Sequence, residues 1–195
     1  MEAGAWLSAD VVAGGGKVIT ELGLMYTLEW EKETSHNTEY ALTFETTRHA
    51  LTVCRQEKVQ RVVATMWGDD GAECSLFACL PTLAYVAATA KGERDYKTTF
   101  AQTTGMAFDK FLRLDMPNEA IAPAKMFAFT QASRYMLYND PLQGLYDSTI
   151  TVGDGEKYKA VFGKLSRLAK HKEWGYLFQT QAALARTLYY KYELT

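Results

Sequence analysis

The sequence predicts an α/β protein that turns mostly α: a β/α segment over residues 1–91, then an all-helical region over residues 92–195. Before residue 91, runs of alternating or β-branched character take turns with runs of helical period, the pattern of parallel β/α units. After Gly92 the recurring period is helical throughout. The composition, 48% hydrophobic and 13% aromatic over 195 residues, lets such a chain bury a core of ordinary size and excludes global disorder.

Residues 1–17 are small, Gly-rich and weakly patterned. Gly14-Gly15-Gly16-Lys17 lacks the Walker spacing and its Ser/Thr, so it reads as a flexible turn. In "ELGLMYTLEWE" (21–31), Leu22, Leu24, Tyr26, Leu28 and Trp30 share one face, which predicts a strand. "EKETSHNTEY" (31–40) is polar and turn-like. Phe44, Thr47, Leu51 and Cys54 then recur at helical spacing, with Ala50 beside them, up to a helix end near Glu57. "VQRVVATMW" (59–67) is a second strand, ended by the Gly-Asp-Asp-Gly break.

An apolar helix follows from about Glu73 or Cys74. Pro81 falls inside it, which demands a kink or a start nearer the proline. Beyond Gly92 come a short helix closed by Gly105, another stopped by Pro117, and the segment "PAKMFAFTQASRYMLYNDPLQG". Two long helices end the chain. One runs from about residue 155 to 170 on Tyr158, Val161, Phe162, Leu165 and Leu168. The other runs from about 174 to 192 through Leu177, Phe178, Leu184 and Leu188. No internal repeat is evident.

Charge and cysteine usage exclude several classes. Lys and Arg number 21 against 23 Asp and Glu, without an aromatic-interleaved basic stripe, so neither nucleic acid nor an anionic membrane is expected as a partner. Cys54, Cys74 and Cys79 lack metal-ligand spacing and read as reduced core thiols of a cytoplasmic protein. The first residues lack the features of a signal peptide, and no apolar run reaches the ~18 residues of a membrane span. A parallel sheet needs cover on both faces and pairing at its edges. Two strands cannot supply that, so either partner strands or a larger barrel is implied.

"TMWGDDGAECSLFACLPTLAYVA" resembles the last strand and following helix of the β-N-acetylhexosaminidases of glycoside hydrolase family 20, with Trp67-Gly68-Asp69 in place of the family's Trp-Gly-acid motif. "HNTEYALTFETTRHALTVCRQEKVQRVV" is similar to the helix joining the last two strands, and "FDKFLRLDMP" and "YMLYNDPLQGLYD" to pieces of the C-terminal extension. The resemblance runs from about residue 28 to 150 and more faintly to the end. It implies the last β/α units of a TIM-type (β/α)8 barrel followed by a helical C-terminal region. The family removes terminal N-acetylhexosamine by substrate-assisted retention, using an Asp-Glu dipeptide on a strand midway round the barrel. This chain contains no Asp-Glu dipeptide, and a full barrel takes ~250 residues. The resemblance thus implies no catalytic residue here and no activity of this chain alone. No cofactor and no metal are expected.

The same resemblance assigns substrate-binding roles. Trp67 stands where a pocket wall tryptophan would meet the sugar, against the alternative of a core residue sealing the sheet end. Asp69 matches the acid that accepts hydrogen bonds from the sugar's outer hydroxyls, since a carboxylate can take two at once. Its alternative is to complement a helix N-terminus. Glu73 could face the pocket or, with Asp70, serve as a capping partner. Trp30, seven residues before Asn37, falls near the family's second pocket tryptophan, or is a strand-core residue. The expected partners are an N-acetylhexosamine-containing glycan once the barrel is completed, and an N-terminal barrel half or a second copy of the chain. The rival reading is a non-enzymatic, stand-alone oligomeric interaction protein with its strands re-paired. A third, Asp69, Asp70 and Glu73 holding Mg²⁺ or Ca²⁺, rests only on adjacent acids in one turn.

Overall fold

The computed structural model describes residues 4–9, 19–25, 39–59, 61–66, 75–122 and 131–195. Its elements run β1 (Gly4–Ala9), β2 (Ile19–Met25), α1 (Glu39–Gln56), β3 (Arg61–Met66), α2 (Leu80–Lys91), α3 (Tyr96–Thr104), α4 (Phe108–Phe111), α5 (Met116–Glu119), α6 (Ala132–Tyr138), α7 (Asp154–Leu168) and α8 (Gly175–Leu194). Short 3₁₀ turns at Leu76–Cys79, Leu112–Asp115 and Asp147–Thr149 link them. The chain forms two compact units, Glu2–Leu112 and Arg113–Thr195.

In the first unit β2 and β3 pair in parallel, Ile19 opposite Arg61 and Leu24 opposite Met66, with α1 as the crossover between them. This is the β/α unit the sequence predicts. β1 is a departure: "GAWLSA", read as unpatterned, forms a strand antiparallel to β2, with Gly4 opposite Met25 and Ala9 opposite Thr20. The described strands make a three-stranded mixed sheet of order β1-β2-β3. Helix α1 buries Thr47, Ala50, Leu51 and Cys54, the face its spacing predicts. Ala50, Leu51 and Val86 of α2 form a core on which Val62 and Ala64 of β3 pack. Pro81 lies in the first turn of α2, so the helix starts at the proline instead of kinking over it. Gly92 closes α2 at φ 76°, the left-handed cap glycine tolerates.

The expected division after residue 91 differs from the division at Leu112, and aromatic packing explains why. Tyr85 of α2 meets Phe44 at 4.8 Å and Tyr96 at 5.2 Å, and Tyr96 meets Phe108 at 5.1 Å. Phe108 in turn touches Phe44 at 5.8 Å and Phe100 at 5.2 Å. Helices α3 and α4 are thereby sealed onto α1 and α2. Burial of Tyr96 pushes its hydroxyl above the ordinary tyrosine range.

Every described element after Gly92 is helical. Pro117 sits in the first turn of α5 and opens that helix, where the sequence had suggested a stop. The second unit is built on α7 and α8, which pack along each other. Tyr158, Val161 and Leu165 are buried on α7, and Leu177, Phe178, Ala182, Ala185, Leu188 and Tyr192 on α8. Tyr158, Leu188 and Tyr192 share a core with Ile121, Ala132, Tyr135 and Met136.

Tyr158 and Tyr192 lie with ring centroids 5.3 Å apart. Burial, reinforced by neighbouring tyrosines, raises both hydroxyls well above the ordinary tyrosine range. The sign of the pH dependence follows. Above about pH 10 the unfolded chain loses phenolic protons that the folded unit keeps, so stability is complete below that pH and falls above it. Each tyrosine held neutral contributes a slope of at most about 1.4 kcal/mol per pH unit. Denaturation at pH 9 to 11.5 should show this loss, and Tyr158→Phe should flatten the alkaline limb.

Candidate functional site

In a parallel sheet the segments leaving the C-terminal strand ends carry binding residues, because those loops lead to helix N-termini and converge at one edge. The register places the ends of β2 and β3 side by side, Leu24 opposite Met66. Trp30 belongs to the segment after β2, and Trp67, Asp69 and Glu73 to the segment after β3. The four residues themselves, with Asp70 and Cys74, lie outside the described residues.

The described edge of this region is the 3₁₀ turn Leu76–Cys79. Ser75 Oγ accepts a hydrogen bond from Phe77 N at 3.3 Å and so caps the turn. The Tyr40 hydroxyl donates to Ala78 O at 2.7 Å, tying the start of α1 to the approach of α2. Leu76 and Phe77 present their side chains outward, 64% and 51% exposed. The sequence reading places both in the apolar helix that begins near Glu73 or Cys74, whereas the structure gives them a 3₁₀ turn ahead of α2. Cys54 is buried and Cys79 half-buried, and neither is part of a disulfide. Among the described residues no group of three His, Cys, Asp or Glu could hold a metal ion.

Polar side chains elsewhere serve structure. Lys97 Nζ donates to Asp109 Oδ1 at 2.7 Å, and this contact is the chief cause raising the lysine's pKa. Both partners are largely exposed, so the pair contributes little to stability. His49 lies at the surface beside Glu45, and His171 Nδ1 accepts from the backbone N–H groups of Glu173 and Trp174 ahead of α8. Asp154 is buried, accepting from Thr151 N at 2.9 Å and Lys157 Nζ at 2.8 Å, which fixes the entry to α7. In the same unit Ser133 Oγ donates to Asn118 Oδ1 at 2.6 Å, and Asn118 Nδ2 donates to Asp115 Oδ1 at 2.8 Å, joining α5 to α6. Glu119 beside this cluster has its carboxyl raised by burial and by the Asp115 charge.

Lys191 of α8 closes the end of α6. Its ammonium donates to Leu137 O and to Asn139 O, the latter at 2.6 Å, where the helix dipole favours a cation. Lys191→Met should remove both bonds and lower the stability of this unit by about 1–3 kcal/mol. A chemical denaturation curve followed by circular dichroism checks this.

The second unit is thus a helical C-terminal module held by a long two-helix pair. Residues 109–195 match the family described as Glycoside Hydrolase 20C C-terminal domain, and the match supports a family 20 C-terminal part over that stretch. No curated protein matches the chain. The matched segment begins well after Glu73, so it speaks for the helical module and not for the strand ends. No helix among the described residues is long and apolar enough to cross a membrane.

Proposed function

We propose that this chain is the closing part of a family 20-like β-N-acetylhexosaminidase, contributing the wall of a sugar pocket and inactive by itself. The observation that carries the reading is the order of parts. A family 20 C-terminal module follows a parallel strand-helix-strand unit whose last strand runs directly into Trp67-Gly68-Asp69. In the completed enzyme, terminal N-acetylhexosamine would be removed with the substrate's own acetamido oxygen as nucleophile. Trp67 and Trp30 would supply apolar surface against the sugar ring. Asp69 would accept from its outer hydroxyls, with Glu73 beside it. The proton-transferring pair belongs to a barrel half outside this chain, and the expected compartment is cytoplasmic.

A chromogenic N-acetylglucosaminide assay on the chain alone should read blank. Turnover that persists in Asp69→Ala and Glu73→Ala would place the chemistry elsewhere in the molecule and defeat the reading. One observation favours the rival reading, a stand-alone oligomeric interaction protein: the outer edge of β2 is already paired, and by an antiparallel strand.

A further inference from the structure

β2 is the middle strand of the sheet. β3 pairs with it from Ile19 to Leu24 on one side, and β1 pairs with it from Thr20 to Met25 on the other. The two ladders cover almost the same stretch, so along its length β2 offers no free backbone edge. In a closed (β/α)8 barrel each strand has two parallel neighbours, and a parallel neighbour is reached by a crossover of about a dozen residues or more. β1 meets neither condition. It runs antiparallel and is joined to β2 by residues 10–18 alone.

We propose that β1 is a built-in edge cap: it occupies the hydrogen-bonding edge of β2 that a preceding barrel strand or a second copy of the chain would need, so that β2 pairs with another polypeptide only once β1 is displaced. An uncovered strand edge is a row of unpaired N–H and C=O groups that templates association, and proteins cover such edges. The equating of that edge with a barrel seam rests on the function proposed above. The capping itself rests only on the register.

Two variants test it on the full chain. Leu7 faces Leu22 and Ser8 faces Glu21 in the register, and adjacent antiparallel pairs alternate between close and wide spacing. One of the double variants Leu7→Cys/Leu22→Cys and Ser8→Cys/Glu21→Cys should therefore cross-link under mild oxidation, mapped by peptide mass. In the second variant, Trp6→Pro/Leu7→Pro, consecutive N–H groups point to opposite sides of a strand, so one proline must remove a ladder donor.

Hydrogen exchange of residues 19–25 should then quicken about tenfold at the amides facing β1, while those facing β3 keep their protection. The same variant should gain concentration-dependent mass in sedimentation, roughly doubling relative to the parent, while the cross-linked chain stays at the parent mass. Failure of both cysteine pairs to link overturns the proposal, as does a proline variant whose β2 amides are opened without any gain in mass. If the prolines unfold the unit as a whole, the cross-link decides. None of these outcomes depends on glycosidase turnover, so failure of the cap and failure of the sugar-pocket reading are separable.

Discussion

Phe178→Ala should lower the stability of the helical module by about 3–5 kcal/mol, the range for an aromatic ring deleted from a packed core. Phe178 is 0% exposed, whereas Tyr176, two residues earlier on the same helix, is 49% exposed. Returning a buried ring to water costs about 1.5–3 kcal/mol, and the cavity left behind accounts for the remainder. A domain of this size is stable by only about 5–15 kcal/mol in total, so the substitution should leave the module close to unfolding at room temperature. Tyr176→Ala should move it by less than about 1 kcal/mol, because its ring already faces water. Denaturant titration followed by circular dichroism, with hydrogen exchange at α8 amides, reads both. Equal effects from the two substitutions would mean that the burial of α8 is misassigned.

That contrast also shows where the sequence was legible. The apolar stripes of α7 and α8 repeat at close to 3.6 residues over several turns, so the helices, their buried faces and their approximate ends could all be read. Pro81 left two readings of α2 open, a kink in a helix begun near Glu73 or Cys74 or a start nearer the proline, and the structure takes the second. β1 was not legible. "GAWLSA" sets small residues in pairs on either side of Trp6-Leu7 and so shows no alternation, and its strand character comes from pairing with β2, which single-sequence periodicity does not encode.

The compact unit that runs to Leu112 rests on contacts of the same non-local kind. Tyr96, Phe100 and Phe108 look like ordinary helix residues until their rings are placed against Tyr85 and Phe44. Pro117 illustrates the remaining ambiguity, since a proline is compatible with the end of one helix and with the first turn of the next. For the candidate site, strand order and direction could be anticipated from the connection lengths. The residues Trp30, Trp67, Asp69 and Glu73 were reached through family resemblance, because one polar turn after a strand has several physical uses.

Two glycines of the helical module should respond to alanine with opposite signs. Gly163 lies inside α7, and a Cβ built there meets nothing within 4 Å. Gly163→Ala should therefore show the intrinsic helix gain alone, a stabilisation of about 0.5–1 kcal/mol from reduced unfolded-state freedom and better propensity. Gly175 is the first residue of α8, where the chain turns from α7, and its N–H bonds back to His171 O at 3.0 Å. A Cβ there would stand 2.4 Å from Ala169 O and 3.1 Å from Ala169 C. Those atoms are backbone, so no side-chain rotation can relieve the overlap. The turn must open, pulling α8 out of register with the face that buries Leu177 and Phe178. Overpacking of this kind costs about 1–3 kcal/mol, more than the helix gain of at most ~1 kcal/mol can offset at a helix start. Gly175→Ala should accordingly lower the denaturation midpoint while Gly163→Ala raises it. A pair of shifts in the same direction would show that propensity, and not the close backbone approach at Ala169, governs this turn.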